Sequence, residues 1–162
     1  AVHFKSKGCG RAPDQAQGAD ADHDDGQACW NDARVESARR VHAWLASEGH
    51  KRGKPTPTLL IGDFNAHAQE DPMRLLAEAG WSDAFARDPK LPRPYSFVFD
   101  GAAGRLDHAL MDSALRSRLR GAEEWHVNAD EADFFDYHND ASTGPWGASD
   151  HDPILLGFKF EP

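Results

Sequence analysis

The pattern of apolar residues predicts a mixed-sheet α/β layered domain. Three observations carry this. Short apolar runs of strand length alternate with helical periodicity through the first half of the chain. A cluster of alternating, strand-like segments follows. The 162 residues amount to one domain without internal repeats, long enough to bury a real core.

Taken in order, Ala1–Phe4 reads as the end of a strand, with Lys5-Ser6-Lys7-Gly8 as its polar exit. The chain enters this strand directly with no signal peptide, so it is expected to be a piece of a longer protein. Cys9 to Asn31 lacks periodicity and reads as a long loop, of the kind that is functional or disordered in compact domains. Asp32 can cap a helix running to about Glu48 and stopped by Gly49. Val35, Ala38, Val41, His42 and Leu45 form its buried stripe, and Arg34, Arg39 and Arg40 are expected in solvent. Lys51–Pro57 is a basic connector into a short strand, Leu59-Leu60-Ile61, whose unbroken apolar run suits burial on both faces. Asp71-Pro72 opens a second helix that Gly80 closes, and Trp81 to Ala84 returns to the core.

In the second half, Tyr95–Phe99 alternates as a strand and Asp100 to Gly104 turns. Arg105 to Met111 reads as its antiparallel partner. Ser113 is expected to cap a basic helical turn over Ala114–Arg120. Glu123–Asn128 reads as a strand, and an acidic, aromatic loop continues through Trp146. Ile154, Leu156, Phe158 and Phe160 alternate on one face of a closing strand after Pro153.

No apolar run approaches the roughly 20 residues needed to cross a bilayer. The net charge of −9 argues against broad electrostatic wrapping of nucleic acid. The charge is uneven, however: Lys5, Lys7, Arg11, Arg105 and the Arg116–Arg120 group leave room for a local phosphate-facing patch. Cys9 and Cys29 bracket the first acidic loop. They read as a disulfide, worth roughly 3 kcal/mol by chain entropy and pointing to an oxidising compartment, against the alternative of two unrelated buried thiols. Within that loop Asp20 to Asp25 carries carboxylates on alternate residues, as calcium loops do. The Gly is one place late for an EF-hand and no Glu closes it, so a solvated acidic loop is the competing reading.

Three motifs share one shape, a strand leading into acidic or His residues: Gly62-Asp63-Phe64-Asn65, Arg105-Leu106-Asp107-His108 and Ser149-Asp150-His151-Asp152-Pro153. In extended backbone Asp63 and Asn65 project to one side and Phe64 to the other, while an ordinary Asx turn is the plainer account of the pair. His3, alone near a strand end, is more often structural than catalytic. With His3 the motifs supply carboxylates, an amide and two imidazoles, the set that metal-assisted phosphodiester hydrolysis needs. A carboxylate holds the cation, a carboxylate-backed His handles a proton, and hydrogen-bond donors fix phosphate oxygens.

The ordered set G-D-F-N, L-D-H and S-D-H-D-P resembles the C-terminal part of the endonuclease/exonuclease/phosphatase superfamily, the DNase I-like fold. A closer resemblance, to the large secreted bacterial nucleases, lies in His3–Cys9, Gly26–Asn31, Tyr95–Asp100 and Trp125–Glu131. The resemblance implies a two-sheet sandwich flanked by helices, with residues 1–162 as the C-terminal portion of a single domain. It implies that His151 is the imidazole at the scissile phosphate, with Asp107 orienting it, and that Asp150 ligates Mg2+ or Mn2+. Asp63 and Asn65 would position the water and a phosphate oxygen and hold a second metal, and His3 would be the second imidazole. It also implies a DNA substrate, with RNA as a further one, and an extracellular location. The Asn and metal-binding Glu that the superfamily brings on early strands, and the further Glu that supports the first His, have no match here. The upstream half of the domain is therefore expected to be a required partner, and the isolated piece to be poorly stable and inactive. Arg105, His108 and Asp152 need not act, and His108 should face away from Asp107. Two other functions compete: a phosphatase or phospholipase of the same superfamily, and a non-catalytic calcium-binding extracellular module.

Overall fold

The structure is a computed structural model that describes residues 1–52, 56–86, 94–131 and 148–160. Its elements, in order, are β1 (Val2–His3), a 3-10 turn (Gly18–Asp20), α1 (Asn31–Arg52), β2 (Leu59–Asp63) and α2 (Asp71–Glu78). They continue with β3 (Ser82–Asp83), β4 (Phe97–Phe99), β5 (Ala102–Gly104), β6 (Asp107–Met111), α3 (Ser113–Arg116), β7 (Leu119–Glu124) and β8 (Ile154–Phe158). The architecture is the expected mixed α/β. Among the described residues, its strands form a four-stranded sheet in the order β1-β2-β6-β3 and two two-stranded pairs, β4-β5 and β7-β8. No helix among them is long and apolar enough to cross a membrane.

The central pair, β2 and β6, is buried on both faces, as the apolar run in β2 predicts. Leu60 and Leu110 lie opposite each other and point into one core with Phe4, Ala38, Phe64 and Leu76. Ala109 and Met111 point the other way, into a second core with Phe85, Leu115, Ala122 and the inner face of β8. Fully burying a side chain the size of Leu or Phe contributes about 1.5–3 kcal/mol. The two cores therefore clamp the ends of β2 and β6 in register, and those ends carry the acidic residues.

β1 lies parallel to β2, with Val2 opposite Gly62 and His3 opposite Asp63. This close approach needs a glycine. Gly62 has φ +139°, and a Cβ there would stand 2.0 Å from the Val2 carbonyl oxygen.

Several expectations change in three dimensions. Helix α1 runs through Gly49 to Arg52, because one Gly costs only about 1 kcal/mol against a helix already packed on α2 and β2. Its first turn is capped by Asp20, whose Oδ1 accepts from the Ala33 N–H at 2.9 Å, and not by Asp32. Helix α2 starts one residue early, with Glu70 at its N-cap position, and Asp112 rather than Ser113 caps α3. Tyr95–Phe99 does not pair with Arg105–Met111. β4 closes a tight hairpin on Ala102–Gly104, which frees β6 to be shared by β2 and β3. The strand expected at Glu123–Asn128 is Leu119–Glu124, paired with β8, and Phe160 lies beyond β8, exposed against Arg118. The acidic, aromatic loop through Trp146 and the middle of the Lys51–Pro57 connector lie outside the described residues.

Cys9 and Cys29 are disulfide-bonded. Arg34, expected in solvent, is fully buried behind that bridge. Its guanidinium donates to the Cys29 and Gln27 carbonyls, each at 2.7 Å, and to the Lys5 carbonyl at 3.3 Å. A backbone without periodicity has carbonyls that no helix or sheet satisfies, and one five-donor side chain meets three of them. Arg39 and Arg40 are exposed and pair with Glu36.

Candidate active site

Asp63 ends β2 and Asp107 begins β6, and the antiparallel register places them directly opposite. Asn65 follows in left-handed backbone, φ +47°, which Asn tolerates better than most residues. Its N–H donates to Asp63 Oδ1 at 2.7 Å, and its side-chain amide donates to Asp63 Oδ2 at 2.9 Å and to the Phe4 carbonyl at 3.1 Å. This is an Asx turn, so the plain account of the pair holds. It also aims the Asp63 carboxylate at Asp107 while Phe64 faces the core.

His151 arrives from the other end of the chain. Its backbone bridges to Phe97, and its ring lies 4.7 Å from the Phe97 ring. His151 Nδ1 donates to Asp107 Oδ2 at 2.5 Å. The same oxygen accepts from Ser96 Oγ at 2.7 Å, and Ser96 is fully buried. Ser96 Oγ in turn accepts from the N–H groups of Leu106 and Asp107. Asp107 is thereby fixed from behind, Nδ1 carries its proton toward it, and Nε2 is the ring nitrogen pointing away from that contact. Ser96 was not singled out from sequence, since a Ser inside an alternating strand looks like any solvent-facing position.

Asp63, Asp107 and His151 offer ligand atoms that all lie within 4.8 Å of one another, the only such group among the described residues. His3 stands at the rim, Nε2 3.4 Å from Asp63 Oδ2, with its side chain largely exposed. Asp150 is exposed and outside this group, and its charge helps raise the His151 pKa. The carboxylates of Asp20–Asp25 do not converge. Asp20 caps α1, and Asp22 and Asp25 each accept a backbone N–H two residues on.

Burial pushes the Asp63 carboxyl up, opposed by the Asn65 N–H and assisted by the facing charge of Asp107. Burial disfavours the His151 imidazolium, but the Asp107 hydrogen bond and the surrounding carboxylates outweigh it and raise its pKa. Two facing carboxylates, one of them held against its ordinary ionisation, are a donor pair that a hard divalent cation would relieve. The residues present therefore fit such an ion, with Asp63 and Asp107 as its oxygen donors.

The surroundings are mostly committed to structure. Asp152 Oδ1 accepts from the N–H groups of Val127, Asn128 and Ala129, and its Oδ2 accepts from His126 Nδ1 at 2.7 Å. Asn128 donates to the His151 carbonyl at 2.8 Å, which ties the segment after β7 to the backbone of His151. Asp152 is thus committed to the segment after β7. Arg105 forks onto Asp83 and lies over Phe85, and His108 is buried with Nε2 on the Ala66 carbonyl, facing away from Asp107 as expected. Lys7 is held by Glu70 at 2.5 Å. Neither Arg105 nor Lys7 is therefore free for the basic patch, whereas Lys5 is exposed beside the Trp30 ring.

The sequence matches the Endonuclease/Exonuclease/phosphatase family over residues 3–151. The chain belongs to the endonuclease/exonuclease/phosphatase family. That family is hydrolytic, acts on phosphoester bonds and typically depends on divalent metal, in keeping with the Asp63–Asp107–His151 group. Among solved structures, an endonuclease/exonuclease/phosphatase family protein from Bacteroides thetaiotaomicron is similar at 20% identity and TM-score 0.52, over 78% of this chain and 43% of that one. A 3′ phosphatase from Neisseria, bound to a product DNA hairpin, is similar at 19% identity and TM-score 0.47, over 81% of this chain and 52% of that one. The chain thus spans about half the length of these family structures. No curated protein matches it in sequence.

Proposed function

We propose that this chain carries the His–Asp half of a metal-dependent phosphodiesterase that cuts nucleic acid outside the cell, DNA first and RNA as a further substrate. The observation that carries the proposal is the chain of contacts from Ser96 through Asp107 to His151, set against Asp63 at the ends of β2 and β6. Asp107 holds the ring orientation and favours the imidazolium, so Nε2–H can bond a phosphate oxygen and offset the charge that develops there. Asp63, fixed by Asn65, is the acceptor that orients a water at the phosphate. Asp63 and Asp107 would hold Mg2+ or Mn2+, which when bound neutralises phosphate charge. His3 adds a second imidazole at the exposed rim. The disulfide between Cys9 and Cys29 agrees with an oxidising compartment. Because the chain spans about half of its structural relatives, this reading holds that a further segment completes the site.

The test is cleavage of supercoiled plasmid and labelled RNA in Mg2+, in Mn2+ and in EDTA. Both the 162-residue chain and the longest natural form of the protein are assayed. Metal-dependent cleavage by the longer form that His151→Ala reduces by 10²–10⁴-fold is the expected result. Asp107→Asn should lose activity too, and the double variant far less than the product of the two, since they act as one unit. Hydrolysis of phosphomonoesters or phospholipid without nucleic-acid cleavage would transfer the site to the phosphatase or phospholipase reading. Full turnover by His151→Ala with an unchanged unfolding curve would refute the assignment.

A further inference from the structure

Two features at the rim of the site take no part in the contacts described above. The first is aromatic. Phe97, whose ring lies 4.7 Å from that of His151, is followed on the same face of β4 by Phe99. The two phenyl rings are 6.2 Å apart and 15° from parallel, and Phe99 is 73% exposed. Across the hairpin Phe99 faces Ala102 and Phe97 faces Gly104, neither large enough to cover a ring. The tip is the two-residue turn Asp100-Gly101, with φ +49° and +75°, the form that matches strand twist. The base is fixed as well: the Ser96 carbonyl accepts from the Asp152 N–H at 2.8 Å, and the Ser96 N–H donates to Gly104 at 3.0 Å. A short, well-anchored hairpin therefore holds an apolar ring out in water, in line with the His151 imidazole.

The second feature is a cation. Burial alternates at the exit of β1, with His3 exposed, Phe4 buried and Lys5 exposed, and the Phe4 N–H carries the ladder on to the Asp63 carbonyl. His3 and Lys5 therefore leave the chain on one face. The Phe4 carbonyl is held by Asn65 and the Lys5 carbonyl by Arg34, so this backbone is pinned. Glu70 and Asp83 claim Lys7 and Arg105, whereas the Lys5 ammonium rests over the Trp30 ring at 4.7 Å. Both imidazoles reach the facing carboxylates, His151 at Asp107 and His3 at Asp63. The phenyl pair thus lies beyond one imidazole and the ammonium beyond the other. A chain that repeats flat rings on an anionic backbone answers both. In a duplex each base is stacked on its neighbours and closed off by its partner, whereas an unpaired strand can lay a base face on an aromatic ring. The net charge of −9 acts in the same direction, since a single strand brings fewer phosphates to the surface than a duplex. We propose that the site takes an unpaired nucleic-acid strand, with one base stacked on Phe99 and a phosphate of the same strand on Lys5.

This inference rests on the function proposed above, but its test needs no turnover. An end-labelled oligonucleotide, single-stranded or as its blunt duplex, is titrated in EDTA with the longest natural form of the protein, followed by fluorescence anisotropy. The single strand should bind at least tenfold more tightly than the duplex. Phe99→Leu, apolar but without a π face, should weaken the single strand at least fivefold, the low end for one base–aromatic stack, and Phe99→Trp should keep it. Lys5→Gln should lower the slope of log affinity against log salt by about 0.7, as one lost phosphate contact predicts. Equal affinity for the two forms, binding of neither, or Phe99→Leu binding like the wild type would overturn the inference. The last result is also the one expected if another segment of the protein covers Phe99. An unchanged salt slope in Lys5→Gln would overturn the part given to the cation. Single-strand preference that Phe99→Leu removes, without cleavage of any nucleic acid in Mg2+ or Mn2+, would leave the strand site standing and refute the proposed function. Cleavage that depends on His151 and treats both forms alike would refute the strand site alone.

Discussion

Replacing Glu124 by Gln should stabilise the fold more at pH 8 than at pH 5, by about 3 kcal/mol. The substitution keeps the shape of the side chain and removes its ionisation. Glu124 is packed between β8 and the segment leading to His126, with both oxygens cut off from water and from donors. Burial raises its pKa first, Arg105 and His126 draw it back, and Asp107 and Asp152 add to the rise, for a result of about 7 against the ordinary 4.5. Below about pH 4.5 the carboxyl is neutral in both the folded and the unfolded chain, and burial costs little extra. Between 4.5 and 7 the unfolded chain releases its proton while the folded chain keeps it, so folding grows less favourable as pH rises. Above 7 the folded state holds a buried, unpaired charge. The span from 4.5 to about 7 corresponds to about 3 kcal/mol of stability lost across that window. Gln brings its own penalty, an amide short of partners, of about 1–3 kcal/mol, but that does not vary with pH and cancels in the comparison. The measurement is urea unfolding of both proteins at half-unit steps from pH 4.5 to 8.5. The difference curve should rise through the window and flatten above it. Parallel curves would mean that Glu124 is solvated or already paired, which would refute the burial reasoning.

Gly62→Ala should lose about 2–4 kcal/mol and release β1, because its Cβ would stand 2.0 Å from the Val2 carbonyl oxygen. Near-normal stability together with an unmoved His3 NMR signal would contradict the parallel β1–β2 contact. Arg34→Met should cost about 3 kcal/mol by orphaning three loop carbonyls, and protease nicking within Gly10–Gln27 should rise in parallel. The Cys9→Ser, Cys29→Ser double variant should lose about 3 kcal/mol, as closing a loop of 20-residue separation predicts. A thermal midpoint unchanged by reducing agent would argue against that contribution. Ser96→Ala should loosen Asp107, lowering turnover about tenfold and shifting the His151 titration followed by NMR, with Ser96→Thr restoring both. An unmoved His151 titration would remove Ser96 from the site.

Periodicity and short motifs determined a good deal by themselves. The run Leu59–Ile61 announces a strand buried on both faces because no polar residue interrupts it, and Asp63 with Asn65 announces a turn that aims a carboxylate outward. Val35, Ala38, Val41 and Leu45 announce the packed face of α1 through their spacing. The family resemblance joined Asp107 to His151 across 44 positions, which no local pattern could do. What needed the tertiary structure is whatever depends on which distant groups meet. Arg34 looked solvent-bound because helical spacing put it off the apolar stripe, yet the carbonyls of an irregular loop drew it inside. Arg105 and Lys7 looked like phosphate binders because charge alone is visible in a sequence, whereas Asp83 and Glu70 claim them. Tyr95–Phe99 was matched to the wrong strand, since alternation marks a strand without naming its neighbour. Asp20 became a helix cap by accepting from the N–H of Ala33, thirteen residues on. Ser96 and Glu124 carry no mark at all in the sequence. One is bonded on every side and the other on none, and only burial, the product of the whole chain, separates them.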